Sequence, residues 1–321
     1  MNKKAFIGLF IGALFLWLTL RQIDLASCWF YITRASKPLV LATALVYALA
    51  FVVRAFRWSK LIEPLKKIPA FKLFSYLILG FFMNSLLPLR LGEFIRAHVA
   101  GQKTGLPRSG MLATVLVERL FDGLSYVTLF LVVIQFLPFP ELAKKSMLAA
   151  SVIFIGAMIF LFFFVAHRDK AEIFFRKIPI PVKFRDRAHK IFVNFLDGLT
   201  IFSHKSGLIR VFALSLVVWT IEGTAFFVLG TAFNLNLNIL QCVLVMIVIG
   251  TGSIIPTAPG YVGTVEFLGV TSLTFLGIDK NLAFGYIITL HFLQLATISI
   301  LGIHAMIKEK LTLSELVRIH K

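Results

Sequence analysis

The run from Met147 to Ala166 holds no charged residue and shows no polar face. A water-soluble fold can make no outer surface from it, whereas a helix of about 20 apolar residues spans a bilayer core of roughly 30 Å. Near-uncharged runs recur along the 321 residues, which are 59% hydrophobic and 15% charged. The chain therefore reads as an all-α, polytopic transmembrane helix bundle of about eight spans, in one integral membrane domain over 1–321. It divides into a first half at about 1–166, a basic amphipathic cytoplasmic segment at about 167–207 and a second half at about 208–321. The loops leave no room for a globular catalytic domain.

Lys and Arg number 33 against 15 Asp and Glu, a formal charge of +18. No nucleic-acid module fits between the spans. The excess is read instead as cytoplasmic loops facing anionic lipid heads, with both termini cytoplasmic and the inner (plasma) membrane as location. Cys28 and Cys242 are isolated, and the histidines show no metal-ligand spacing. Neither a metal nor a cofactor is expected. Lys3-Lys4 followed by an apolar run could open a signal peptide, but Arg21-Gln22-Ile23-Asp24 separates that run from the cleavage-like Leu25-Ala26-Ser27-Cys28. An uncleaved first span is the reading adopted.

Two stretches interrupt apolar runs. Asn84-Ser85-Leu86-Leu87-Pro88-Leu89-Arg90-Leu91-Gly92-Glu93-Phe94-Ile95-Arg96 brings a proline, a glycine and three charges, with Arg90, Glu93 and Arg96 every third residue. The second, from Ser253 to Glu266, brings Pro256, Pro259, Gly260 and Gly263. Hydrocarbon tolerates such breaks only where the freed backbone is buried in protein or lines a wet cavity. Span two, about 39–53, is expected to end at Arg54 and Arg57, with Trp58 at headgroup level. Between that basic loop and the basic loop from Arg168 to Lys205 lie three apolar runs, and three full crossings cannot join two loops on one side. A re-entrant hairpin broken at 84–96 resolves the count; a full crossing that violates the positive-inside rule is the alternative. Within the second basic loop, Phe184, Ala188, Ile191, Phe195, Leu199 and Phe202 form a stripe, as in an interfacial helix or one packed beneath the bundle.

Glu93 and Glu266 are 173 residues apart, and 25 residues beyond them stand Glu118 and His291. If one hairpin dips from each face, the halves form an inverted repeat, a transporter signature. Glu93, Glu118, Arg119, Asp122, Glu222 and Glu266 all fall in or beside apolar runs. At roughly 2.5–3.5 kcal/mol per mid-membrane charge they must be paired, hydrated, protonated or near the interface. They could simply neutralise one another as bundle glue. As a set with His291 they are candidates for a polar cavity or proton coupling, and Arg57, Arg90 and Arg96, with Asn84, for a lipid phosphate.

Arg54-x-x-Arg57-Trp58, Asn84-x-x-x-Pro88-x-Arg90-x-Gly92-Glu93-x-x-Arg96, Glu118-Arg119-x-x-Asp122 and Pro259-Gly260-x-x-Gly263-x-x-Glu266 together resemble the flippase-like membrane region of lysylphosphatidylglycerol synthases. The resemblance covers nearly the whole chain. It implies a region that moves an aminoacylated phospholipid between leaflets, standing here without the soluble synthase domain, so lysyl transfer is not implied. By position, Arg57, Arg90, Glu93, Arg96, Glu118, Arg119, Asp122 and Glu266 would line the lipid path.

The expectation is a lipid flippase or scramblase for an anionic, aminoacylated or polyprenyl-phosphate-linked lipid, more transporter than enzyme. No Gly-x4-Gly-Lys-Ser/Thr loop is present for ATP coupling. An intramembrane lipid-modifying transferase, with Glu93 or Asp122 as base, stays open. So does an accessory subunit of an envelope glycosyltransferase. The expected partners are a membrane phospholipid or lipid-linked glycan, with a second copy of the chain or an envelope enzyme also open.

Overall fold

The first apolar run ends at Asp24 for a local reason. Its carboxylate accepts hydrogen bonds from the backbone amides of Ala26 and Ser27, at 3.1 and 3.2 Å. That caps α2 (Leu25–Arg34) and turns it 87° from α1 (Lys3–Leu20). The computed structural model describes residues 3–87, 89–137, 141–252 and 258–318. Pro88 and Pro256, read above as helix breaks, lie outside the described residues.

The next helix, α3 (Lys37–Ile62), runs well past the expected end at residue 53. Arg54, Arg57 and Trp58 are buried, because each finds a polar partner inside the bundle. Trp58 is fully buried and donates Nε1–H to Thr114 Oγ1 at 3.0 Å. The reading of this segment as an interfacial loop is thereby corrected: buried partners, not solvent, satisfy its charges.

Two shorter helices, α4 (Ala70–Leu86) and α5 (Gly92–Thr104), then pack against each other as a hairpin. Gly80 lets the legs approach: a Cβ there would stand 2.8 Å from Arg96 Cβ. At the tip, Asn84 Oδ1 accepts from the Gly92 amide at 2.8 Å. At the base, Lys66 Nζ donates to the Thr104 carbonyl at 2.7 Å. The hairpin thus returns to the end of the bundle from which it started. We call this the basic end.

Gly105, at φ +75°, and Pro107 turn the chain into α6 (Arg108–Val133). There follow α7 (Glu141–Ala166), α8 (Arg168–Lys177), α9 (Val182–Gly198) and a 3-10 turn at Thr200–Ser203. The amphipathic stripe divides between its two readings. Of the stripe, Leu199 and Phe202 are buried beneath the bundle, with Leu196 and Ile201 buried beside them and Gly198 against the Gly110 backbone of α6. Phe184 and Ile191 of the stripe remain more than half exposed, as does Phe174 on α8.

The remaining helices are α10 (Lys205–Ala232), α11 (Ile239–Gly252), α12 (Thr264–Phe275), α13 (Lys280–Glu309) and α14 (Leu313–Arg318), with a 3-10 turn at Pro259–Tyr261. Ser36 N–H donates to Ala232 O at 3.0 Å, joining the start of α3 to the end of α10 at the far end of the bundle. Phe233, which ends α10 and leads into α11, packs edge-on to Tyr286, in the second turn of α13 shortly after α12 ends, with ring centroids 5.9 Å apart. The α11–α12 hairpin therefore starts and finishes at the far end, opposite in sense to α4–α5.

Helix bounds carry the repeat further than the short motif did. Shifting α6 by 173 gives 281–306, and α13 spans 280–309; shifting α5 gives 265–277, and α12 spans 264–275. The order α3-α4-α5-α6 recurs as α10-α11-α12-α13, with α3 and α10 packed together at the centre. By length and composition, four helices among the described residues could cross a membrane: α3, Leu148–Ala166 within α7, α10 and α13. The bent α1–α2 pair makes a fifth, while α4 and α11 are shorter apolar helices.

Candidate functional site

The two hairpin tips meet partway along the bundle. Arg90 Nε donates to Tyr261 Oη at 2.9 Å, and the Gly260 Cα faces the Ser85 carbonyl so closely that a Cβ would stand 3.5 Å from it. Leu89, Arg90 and Tyr261 hold φ at +61°, +55° and +60°, a left-handed backbone that non-glycine residues rarely adopt. Between the tips and the central helices lies a cavity of about 400 Å³. Its wall carries Arg54, Arg90, Glu93, Arg119, Asp122 and Glu222, with Tyr47, Tyr126 and Trp219 among them and Ser151 and Phe154 of α7 on one side.

Behind and within that wall runs one continuous charge network. Glu118, fully buried, receives three guanidinium groups: Arg57 at 3.2 Å, Arg96 at 3.2 Å and Arg119 at 2.9 Å. Asp122, one turn on, takes Arg57 at 2.6 Å and Arg119 at 3.1 Å, and accepts from Trp219 Nε1 at 3.0 Å. Arg119 also reaches Glu93 at 3.2 Å, and Arg54 pairs with Glu222 at 2.5 Å. Arg54, Arg57, Arg96 and Arg119 against Glu93, Glu118, Asp122 and Glu222 sum to zero. That balance, with geometry close to hydrogen bonding, is how such charges are accommodated among apolar helices. Aromatic faces assist: Arg96 lies over Trp58 and Arg54 over Trp219, each 4.7 Å from the ring centroid.

The second hairpin repeats the device on a smaller scale. Glu266, in the first turn of α12, accepts from the Gly263 amide at 2.6 Å and lies 2.6 Å from His291 Nδ1 on α13. His291 Nε2 lies 2.8 Å from the Gly260 carbonyl. In each half, a glutamate opening the second leg of the hairpin meets a basic side chain on the following long helix: Glu93 with Arg119, Glu266 with His291. Gly260 and Gly263, with φ of +65° and +88°, make the turn between.

The residues singled out from sequence thus fall into two groups. Arg90, Asn84, Glu93, Arg119, Asp122, Glu222, Gly260 and His291 line the cavity. Arg57, Arg96, Glu118 and Glu266 stand behind it, each 1% exposed or less. Asn84 also has a structural task, closing the hairpin onto Gly92. Arg54, Trp219 and Tyr261 were not singled out as site residues. Arg54 had a usable signal, three residues before Arg57 and so on much the same helix face; Tyr261 had none beyond its place between two glycines.

The match with the lysylphosphatidylglycerol synthase transmembrane region extends over residues 5–302. The chain belongs to this family. Among curated proteins, a UPF0104 membrane protein of Methanocaldococcus jannaschii is 28% identical over 207 residues, 63% of this chain and 83% of that protein. A second UPF0104 membrane protein, of Methanothermobacter thermautotrophicus, is 24% identical over 270 residues, 78% of this chain and 79% of that protein. No solved structure matches. All four motifs quoted above fall inside the stretch that matches the transmembrane-region family, so the charge network and both hairpin tips belong to the shared part of this membrane protein.

Proposed function

We propose that this protein moves the head of an amphipathic lipid between the leaflets of the plasma membrane through the cavity between its hairpin tips, while the tails stay in the bilayer. One observation carries the reading: two hairpins enter from opposite ends of the bundle and touch, through Arg90 and Tyr261, at a cavity bearing six charged residues. Inverted halves with interrupted helices let a single site face either side by parting one tip contact at a time. Arginines on the wall suit a phosphate, which both phospholipids and polyprenyl-phosphate-linked sugars supply. The basic end, with Lys66, Lys103 and Arg108, lies in the cytoplasm by the positive-inside rule. Among the described residues no nucleophile is seen beside a base on the charged wall, which favours carriage over transfer chemistry.

Reconstitution into liposomes with headgroup-labelled phospholipids, read by quenching of the outer leaflet, tests this. The protein is expected to accelerate exchange between leaflets, and Arg90→Ala to slow it about tenfold, roughly 1.4 kcal/mol on the rate-limiting step. Movement no faster than in empty liposomes, for phospholipid and polyprenyl-phosphate substrates alike, contradicts the reading.

A further inference from the structure

The hydrogen-bond ledger of the cavity wall is unbalanced in two directions. Arg54 is only 3% exposed, yet its Nε and Nη1 groups have no hydrogen-bond partner. Nη2 alone is used, on Glu222, and Nη1 stops 3.9 Å short of Asp122. A buried N–H left open is costly, and this guanidinium, stacked on Trp219 in the wall of the cavity, is the one on that wall with two nitrogens still short of an acceptor among the described residues. On the same wall, Glu222 and Glu93 each spend one oxygen, Oε1, on an arginine. Each retains a second oxygen that accepts no hydrogen bond among the described residues. The wall's own charges are balanced, Arg54, Arg90 and Arg119 against Glu93, Asp122 and Glu222.

A cavity with open donors, open carboxylate oxygens and no net charge does not fit a simple anion. A phosphate bound at Arg54 would face the carboxylates of Glu222 and Asp122, and that repulsion is relieved only if the same ligand brings a cation. We infer that the cavity selects a net-neutral headgroup carrying one phosphodiester and one primary ammonium. The phosphate accepts from Arg54; the ammonium, with three N–H donors, bonds the free oxygens of Glu222 and Glu93. A quaternary ammonium has no N–H to give, and a glycerol headgroup leaves the carboxylates opposed to its phosphate. This inference rests on the translocation reading for its setting, but concerns binding alone.

The test is binding of short-chain lipids to the purified full-length protein in detergent, by native mass spectrometry, with four headgroups: phosphoethanolamine, phosphocholine, phosphoglycerol and lysyl-phosphoglycerol. Phosphoethanolamine is expected to bind about tenfold more tightly than phosphocholine or phosphoglycerol, the value of roughly 1.4 kcal/mol from one charged contact. Glu93→Gln should narrow its lead over phosphocholine. Should that variant not fold, Arg54→Gln combined with Glu222→Gln removes one charge of each sign and should abolish the preference outright. Phosphoglycerol or lysyl-phosphoglycerol binding more tightly than phosphoethanolamine overturns the inference while leaving translocation intact. Preferential phosphoethanolamine binding without any acceleration of lipid exchange upholds it and counts against the translocation reading.

Discussion

Glu118→Gln is expected to lower the thermal stability of the detergent-purified protein by more than any other conservative substitution of a charged residue. Its carboxylate is fully buried and holds Arg57, Arg96 and Arg119 within 3.2 Å. Neutralising it leaves four guanidinium groups facing three carboxylates, and removing one partner from a buried pair costs about 3–5 kcal/mol. Glu118 does not itself line the cavity, so the loss is one of folding rather than of binding. Melting in the presence of lipid, compared with Glu93→Gln at the accessible rim, separates the two: a shift for Glu118→Gln no larger than for Glu93→Gln contradicts the network's structural role.

Gly92→Ala is the second large effect. A Cβ at Gly92 would collide with the Gly80 carbonyl oxygen of the opposite leg and stand 2.7 Å from Asn84 Oδ1, which caps this same residue's amide. Backbone atoms on both legs of a hairpin cannot move aside as a side chain can. The cost should reach or exceed the upper part of the roughly 1–3 kcal/mol usual for overpacking, with loss of the tip geometry. Gly156→Ala on α7 is the internal control. Nothing lies within 4 Å of its Cβ position, and alanine there should be neutral or stabilise by up to about 1 kcal/mol. Equal melting temperatures for the two variants would show that the hairpin legs do not pack as described.

Much of this architecture was legible in the sequence because its constraints are local or arithmetical. Three apolar runs between two basic loops pointed to a hairpin over a full crossing, and the contact from Lys66 to Thr104 is that hairpin's closed base. The spacing of 173 residues between Glu93 and Glu266 found the repeat, although the shared residues were few. What sequence could not supply was partner choice. Glu118 and Asp122 sit four apart and announce a common face, but nothing local says that Arg57 and Arg96, from two other elements, converge on that face. Arg54 and Trp58 were misplaced at the interface for the same reason: a charge ends a span only when no buried counter-charge exists, and Glu222 stands 168 residues away. The amphipathic stripe after Pro181 was read correctly as a pattern. Its division into a buried end and an exposed end depends on where Gly110 and Gly198 permit close approach.

The opposed insertion of the two hairpins is the claim on which the rest stands, and single-cysteine labelling with a membrane-impermeant maleimide in sealed, uniformly oriented vesicles tests it most directly. In a chain whose buried Cys28 and Cys242 are replaced by alanine, the probes are Lys67→Cys and Gln102→Cys at the base of the first hairpin, and Asn236→Cys and Phe275→Cys at the base of the second. The first two positions should label from one side of the membrane and the last two from the other. Labelling of Lys67→Cys and Gln102→Cys from opposite sides, or of all four from the same side, would contradict the account.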